Sequence, residues 1–370
     1  MDADTFRSLL TDEGQAVLAA LGDADPAAWP AALTALRRDH PAELVAAAVE
    51  QVRLRREAEA KFGADAQRMY FTPDGLEQAS HREVAEYKLG RVLDEMGVVF
   101  LDVCPLGVGA DALVLGWSHA VTAVDGDPLS VAVTAANAAA LDPQATIWVE
   151  QQDLTVYEFM GEAVFVDAVR PGEPGPRAWV PSPAWALDTV RGIGAGAVRL
   201  GPDLAYGSVP EDCGADEAEW ISWEGEVQEA VLWWFGEGSP AARVPRRATL
   251  LPGGATLTGR GLPDPAVRPP GRYLYEVDAA VVAAGLVAEV AEDVGGGVLD
   301  AAVPARVTSD EARTTPFARA YEITGVLPYD PAAEAAEPGQ HAGPGGGGAS
   351  TVLPARVAGE PALLLVRPAP

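Results

Sequence analysis

Four short apolar runs between residues 97 and 168 constrain the fold of this chain more than any other feature. They read GVVFLDVC, HAVTAVD, ATIWVEQQD and EAVFVDAV, and each has an aspartate at or near its end. The first two runs are followed by helix-type segments, DALVLGWS and DPLSVAVTAANAAALD. Short apolar runs that alternate with helices are typical of buried parallel strands. The pattern therefore predicts an α/β fold with a doubly wound, Rossmann-like sheet.

The acids that follow these strands are Asp102, Asp125, Asp153 and Asp167. Strand carboxyl ends line the ligand crevice of an open α/β sheet. Asp125 can accept hydrogen bonds from both ribose hydroxyls of an adenosine-type ligand, Asp153 ends the strand beside which adenine commonly lies, and Asp167 faces the second substrate. Gly107 and Gly109 lack a Cβ and allow a ligand to approach the turn after the first strand. We therefore predict a nucleoside-cofactor crevice at this edge of the sheet.

The nucleoside could belong to a dinucleotide or to S-adenosylmethionine, and two features favour the second. The segment AEWISWEGEVQEAVLWWFG predicts an antiparallel hairpin at the sheet edge, turning at Glu224-Gly225. Asp102 comes directly before the glycine turn, where it can help to place the cationic methionine end of the cofactor.

The remaining sequence predicts further domains around this sheet. Helical spacing interrupted at Pro41 indicates an N-terminal helical domain, and Thr72 with Pro73 predicts the start of a further helix. The predicted domains are residues 1–95 (helical), 96–245 (Rossmann-like α/β sheet), 246–330 (small α+β, ferredoxin-like) and 331–370 (Gly/Pro linker and a tail of two short strands).

The charge of the chain argues against a polyanionic partner. The sequence has 54 acidic and 26 basic residues, with Lys61 and Lys88 as its two lysines. Residues 96–245 carry 5 basic and 22 acidic side chains, a net charge of −17. Proteins that bind nucleic acid neutralise phosphates with Lys and Arg, so the expectation of a nucleic-acid partner is weak. A highly charged surface that favours solubility is the alternative interpretation.

The sequence predicts a cytoplasmic protein without a metal site. No apolar run approaches the roughly 18 residues of a membrane span, and no signal segment is present. Cys104 and Cys213 suit packing thiols in a reducing compartment. His81 and His119 have no partners at metal-ligand spacing, and we expect both on the surface.

Several segments, in a shared order over about residues 66–329, resemble one family. They are MYFTPDGLEQAS, LDVC…GVGADAL, AVTAVDGDPLSVAVTAANAAAL, AVFVDAVR, RRATLLPGGATLTG and GRYLYEVDAAVVAAGLVAE. They resemble the bacterial class I S-adenosylmethionine-dependent methyltransferases with a C-terminal THUMP-like domain. The resemblance implies S-adenosylmethionine as cofactor and an RNA base or cap as methyl acceptor.

The resemblance also implies a set of site residues. The cofactor residues are Asp102, Gly107, Gly109, Asp111, Asp125, Gly126, Asp153 and Leu154; the catalytic residues are Asp167 and Arg170; the substrate residues are Phe71 and Trp185. Three assignments leave an alternative open. Arg170 could pair with a nearby acid, Trp185 could be a packing residue, and Phe71 could be a staple that fixes the next helix.

Departures from the family pattern define two hypotheses for this divergent member. Pro105 and Leu106 lengthen the cofactor loop, and proline removes an N–H donor. The segments 167–170 and 182–185 each lack a family proline, and a GPGGGG linker with a short tail replaces a basic C-terminal module. The chain is either an active methyltransferase, acting on an RNA base or redirected to a small molecule or peptide, or a binding or scaffold protein without turnover. Cofactor binding discriminates between them.

Overall fold

The structure is a computed structural model that describes residues 1–22, 29–142, 144–168, 182–236, 245–329 and 351–369. The chain divides into two compact units, Met1–Gly201 with Leu232–Ser239, and Pro202–Val231 with Pro240–Pro370. The site residues predicted from the sequence belong to the first unit, and Arg170 lies outside the described residues.

Helices form the N-terminal part of the first unit. They are α1 (Ala3–Leu9), α2 (Asp12–Gly22), α3 (Trp29–Asp39), α4 (Ala42–Phe62), α5 (Pro73–Gln78) and α6 (Arg82–Glu95). The predicted break at Pro41 is confirmed, because α4 begins directly after it. The predicted start of α5 is also confirmed. The Thr72 hydroxyl accepts a hydrogen bond from Gly75 N, and Pro73 occupies the first helical position.

A parallel sheet follows the helices, as predicted. Its strands are β1 (Phe100–Cys104), β2 (Ala120–Asp125), β3 (Ile147–Gln151), β4 (Ala163–Asp167) and β5 (Ala195–Leu200), with helices α7 (Ala110–Leu115), α8 (Pro128–Leu141) and α9 (Pro183–Ile193). The strand order is β3-β2-β1-β4-β5, and every adjacent pair is parallel. Residues 152–162 join β3 to β4 without a helix. All five strands therefore end at one edge of the sheet.

The predicted hairpin exists, but its predicted place in the sheet is wrong. It consists of β6 (Glu217–Trp223) and β7 (Glu226–Phe235), joined by Glu224 and Gly225 with φ angles of 51° and 91°. A two-residue turn with both φ angles positive matches the twist of a hairpin. On its other side β6 pairs in parallel with β8 (Arg246–Leu251), which pairs with β9 (Ala255–Thr258). The hairpin thus lies inside a sheet rather than at its edge.

The second unit also contains a separate antiparallel sheet. Its elements are β10 (Tyr273–Val277), α10 (Ala279–Ala283), α11 (Val287–Asp293), β11 (Gly297–Val298), β12 (Arg306–Ser309), β13 (Ala318–Pro328), β14 (Thr351–Val357) and β15 (Glu360–Pro368). The strand order is β11-β12-β10-β13-β15-β14. The two strands predicted in the tail are present, and β15 pairs with β13. The predicted linker of residues 331–350 lies outside the described residues.

The thiols and histidines are placed partly as predicted. Cys104 and Cys213 are both buried thiols. The surface prediction for His119 is wrong, because its ring is buried and its Nδ1 lies 3.3 Å from the Leu115 carbonyl oxygen. Among the described residues, no group of His, Cys, Asp or Glu side chains could hold a metal ion. None of the described helices is both long and apolar enough to span a bilayer.

Lys61 stabilises the end of α5. Its Nζ donates to the carbonyl oxygens of Leu76, Glu77 and Ala79 at 3.0, 2.8 and 2.9 Å. A cation at a helix C-terminus satisfies carbonyl groups that have no partner within the helix and interacts favourably with the helix dipole.

We predict that Lys61→Met lowers the free energy of unfolding by about 1–2 kcal/mol, because it removes charged hydrogen bonds but keeps the aliphatic stem. Arg53→Met is the matched control on the same helix, since Arg53 forms only an exposed pair with Glu57 and should cost less than about 0.5 kcal/mol. Urea unfolding of both variants measures the difference. Equal losses would contradict the capping role of Lys61.

Candidate cofactor site at the strand ends

The turn between β1 and α7 depends on two glycines. Gly107 and Gly109 have φ angles of 56° and 82°, in the left-handed region that favours glycine. A Cβ on Gly109 would lie 2.7 Å from Thr134 Cγ2, so α8 approaches the turn too closely for a side chain. A Cβ on Gly107 would meet no atom within 4 Å, so open space adjoins this residue. The turn therefore offers a ligand access to the backbone at Gly107.

Asp125, at the end of β2, is brought against this turn. Its side chain is buried, with Oδ2 accepting from Leu106 N at 2.8 Å and Oδ1 accepting from Asp127 N at 2.8 Å. Burial raises the pKa of Asp125, and the backbone hydrogen bonds partly oppose that rise. A carboxylate offers about four lone-pair positions, so two remain for the hydroxyls of a ribose beside Gly126.

Asn137 of α8 fixes the same turn from the other side, and sequence reasoning missed it. Its Oδ1 accepts from Tyr70 N at 2.7 Å, and its Nδ2 donates to the carbonyl oxygens of Tyr70 and Val108, each at 3.0 Å. The side chain is fully buried. The available signal was an asparagine inside the alanine-rich run TAANAAA, where its low helix propensity needs a compensating contact.

Phe71 belongs to the core rather than to an exposed binding surface. Its ring is fully buried, with its centroid 5.5 Å from that of Phe62. Gln51 holds its backbone, accepting from Phe71 N at 3.0 Å and donating to Phe71 O at 2.6 Å. The burial of this ring favours the alternative role of Phe71 as a staple that fixes the next helix, and its assignment to the substrate site stays a prediction.

The Asp102 side chain is hydrogen-bonded to the segment before β4. Its Oδ2 accepts from Met160 N at 2.8 Å and from Gly161 N at 2.7 Å. Its Oδ1 is buried and has no hydrogen-bond partner among the described residues. Burial raises the pKa of Asp102, opposed by these two backbone hydrogen bonds. These contacts favour a supporting role for Asp102, and the expectation that it helps to place the methionine end of a cofactor stays a prediction.

Asp111 forms an ion pair inside the protein. Its Oδ1 lies 2.7 Å from Lys88 Nζ, and the lysine also donates to Ser80 Oγ at 3.1 Å. Lys88 is buried and lies on α6, and Asp111 lies on α7, so the pair joins the two helices. This contact supports a structural role for Asp111 next to the cofactor turn.

The residues after β3 divide between an exposed acid and a buried apolar side chain. Asp153 is exposed, and its Oδ1 accepts from the backbone N and the hydroxyl of Thr155 at 2.9 and 2.7 Å. These hydrogen bonds lower the pKa of Asp153. Leu154 is buried and can form an apolar wall for a flat ring.

Asp167, at the end of β4, is oriented by an arginine that the sequence did not point to. Arg199 of β5 donates from Nη1 to Asp167 Oδ2 at 2.7 Å and from Nη2 to the Gln78 carbonyl oxygen at 2.7 Å. Parallel pairing places Arg199 opposite Asp167 across the two strands. The pattern of apolar residues in a strand does not show which strand will lie beside it, so it could not predict that Arg199 pairs with Asp167.

Trp185 lies in the first turn of α9 and is half-buried. Its ring centroid is 6.0 Å from that of Phe159, which is 5.0 Å from that of Tyr157. The three rings, with Leu154 and Ile193, line a hollow of about 330 Å³. Trp185 therefore borders an open space as well as packing against a neighbour.

Comparison with known proteins identifies the family. An uncharacterised S-adenosylmethionine-dependent methyltransferase of Mycobacterium tuberculosis, from strains CDC 1551 and H37Rv, is 30% identical over 293 residues, covering 76% of this chain and 78% of the relative. This chain belongs to the S-adenosylmethionine-dependent methyltransferases. A candidate methyltransferase from Porphyromonas gingivalis W83 shares the fold, with a TM-score of 0.67 and 18% identity over 90% of this chain and 92% of that one.

The N-terminal part of this methyltransferase also matches a family model. Residues 2–58 correspond to a domain of unknown function (DUF8688). These residues cover α1 to α3 and most of α4. The matched region precedes the methyltransferase sheet along the chain.

We predict that Asn137→Leu lowers the free energy of unfolding of the methyltransferase by about 2–4 kcal/mol, because three buried backbone groups lose their partner. Gln67→Leu is the matched control, since Gln67 is exposed and donates only to Glu59. Urea unfolding followed by circular dichroism measures both. A loss for Asn137→Leu no larger than for the control would contradict the clamp.

Asp102 should make stability depend on pH. Because its folded-state pKa is raised above the ordinary 3.8, the folded state binds more protons than the unfolded state above that pH. Stability therefore falls as pH rises from 3.8 through the folded pKa. Asp102→Asn removes this contribution, so the stability of the variant relative to wild type should increase over that interval and then level off. Urea unfolding at a series of pH values tests the sign, and an opposite slope would contradict it.

Proposed function

We propose that this protein is an active methyltransferase that binds S-adenosylmethionine at the ends of β1, β2 and β3 and methylates a small organic molecule or peptide. Membership of the family supports the reaction. The single observation that carries the location is the convergence of Asp125 with the left-handed turn at Gly107 and Gly109. An acid at the end of the second strand beside a glycine turn suits a ribose-bearing ligand.

The residues of this crevice fit such a cofactor. Asp125 keeps lone pairs for the ribose hydroxyls, and the space beside Gly107 admits a ligand next to the backbone. Leu154 provides an apolar wall for adenine, with Asp153 at the exposed rim. We retain these residues and Gly126 as the proposed cofactor set, with Asp102 and Asp111 as supports.

Asp167 is the proposed catalytic residue at the acceptor side. S-adenosylmethionine supplies an electrophilic methyl group when bound, and transfer requires mainly that the acceptor be held in line with it. Arg199 fixes one oxygen of Asp167 at 2.7 Å. As a carboxylate, Asp167 can accept a hydrogen bond from the N–H or O–H group of an acceptor and so orient it. Arg170 stays a prediction.

The charge distribution favours an acceptor other than RNA. The region 96–245 has 5 basic and 22 acidic residues. Of these bases, Arg191 and Arg199 lie among the described residues, and both pair with acids, Asp188 and Asp167. Phosphate binding needs Lys or Arg that can replace counterions. A THUMP-like role for the C-terminal sheet, and with it an RNA acceptor, stays a prediction from the resemblance.

Calorimetric titration of the full chain with S-adenosylmethionine and with its demethylated product tests the proposal. We expect saturable binding of both, and Asp125→Ala should weaken it at least about tenfold, since it removes charged hydrogen bonds worth roughly 1.5–3 kcal/mol. Asp142→Ala is the matched control, because the Asp142 side chain accepts from Gln144 N after α8, and the substitution should leave binding unchanged.

Thermal unfolding in parallel separates loss of the site from loss of the fold. Absence of heat for both ligands with the folded wild-type chain would contradict the enzyme and favour the scaffold hypothesis. Unchanged affinity in a folded Asp125→Ala variant would instead show that the ribose position is wrong.

A further inference from the structure

A hollow beside α9 is lined mostly by residues that are not in the proposed cofactor set. The segment 154–159 forms one wall and α9 forms the other, and the volume is about 330 Å³. Pockets for small molecules commonly span about 300–1,000 Å³. Leu154 is the one residue that this hollow shares with the proposed cofactor set. The crossover from β3 to β4 has no helix, and the hollow lies where this segment runs beside α9.

Three aromatic side chains line this hollow, those of Tyr157, Phe159 and Trp185. Tyr157 and Phe159 meet edge to face, with an interplanar angle of 88°, and the Trp185 ring is tilted by 54° to that of Phe159. Ring faces carry negative partial charge and attract cations, most strongly for tryptophan. The lining thus combines flat apolar surface with a preference for positive charge.

Carboxylates strengthen that preference. Burial raises the pKa of Tyr157 to about 12, with further contributions from the charges of Asp102 and Glu150. The Tyr157 phenol is therefore neutral at physiological pH and can donate a hydrogen bond. Asp188 also lines the hollow, and its carboxylate pairs with Arg191 at 3.3 Å.

We propose that this hollow binds a planar organic cation, such as an aromatic amine in its protonated form or a quaternary ring nitrogen. The Trp185 and Phe159 rings would contact the ring of the ligand, and the neutral Tyr157 hydroxyl and Asp188 would face its polar substituents. This site goes beyond the proposed methyl transfer, because it requires neither bound cofactor nor turnover.

Calorimetric titration of the full chain with three flat two-ring probes tests the inference: 1-methylquinolinium (cation), quinoline (neutral) and 1-naphthoate (anion). We expect 1-methylquinolinium to bind at least about fivefold more tightly than quinoline, and 1-naphthoate to bind most weakly, as expected for a cation over aromatic faces. Trp185→Leu should weaken 1-methylquinolinium binding at least about fivefold.

Two further variants control this experiment. Trp117→Leu changes a tryptophan outside the hollow, one that lies under Arg82, and should leave binding unchanged. Thr189→Arg adds a positive charge to the wall and should abolish 1-methylquinolinium binding even if Trp185→Leu proves unstable.

Equal affinity for cation and anion, or unchanged 1-methylquinolinium binding in both Trp185→Leu and Thr189→Arg, would overturn the inference. S-adenosylmethionine titrations on the same samples keep the two proposals apart. We expect Trp185→Leu to retain cofactor binding. A chain that binds 1-methylquinolinium but not S-adenosylmethionine would contradict the proposed function and support this site.

Discussion

The Asn137 side chain is the contact on which the rest of the cofactor site depends. A single primary amide accepts from Tyr70 N and donates to the carbonyl oxygens of Tyr70 and Val108. It thereby joins α8, the segment before α5 and the cofactor turn. Val108 also belongs to the same buried cluster as Phe6 and Val45. The N-terminal helices are therefore part of what shapes the turn, because their packing sets where Tyr70 can lie.

The chain has two lysines, and each one makes contacts that stabilise the fold. Lys61 satisfies three carbonyl oxygens at the end of α5, and Lys88 pairs with Asp111 behind the cofactor turn. Lys88 is buried and Lys61 is partly exposed, and each cation satisfies polar groups that would otherwise lack a partner. In a chain with 54 acids and 26 bases, the lysines hold elements together rather than attract a polyanion.

Local signals predicted much of the fold, and non-local contacts explain what they missed. The period of the apolar residues, the Thr72 cap and the Glu224-Gly225 turn each act within a few residues, so the sequence displays them directly. The pairing of β6 with β8 depends on strands that are distant along the chain. Arg199 likewise meets Asp167 only because β5 lies beside β4. Residue types at strand ends indicated which acids matter, but not which atoms they contact.

The loop after β1 differs from the family pattern at Pro105 and Leu106. A contact in the structure changes how this difference is interpreted. In sequence terms, Pro105 removes a donor and Leu106 adds bulk, which favours loss of the site. In the structure, Leu106 N–H donates to Asp125 Oδ2, so the lengthened loop supplies a hydrogen bond to the acid at the end of β2. Two backbone donors then share Asp125, and a ribose must use the lone pairs that they leave. The insertion therefore limits how a cofactor can reach the carboxylate, while it keeps that carboxylate at the turn.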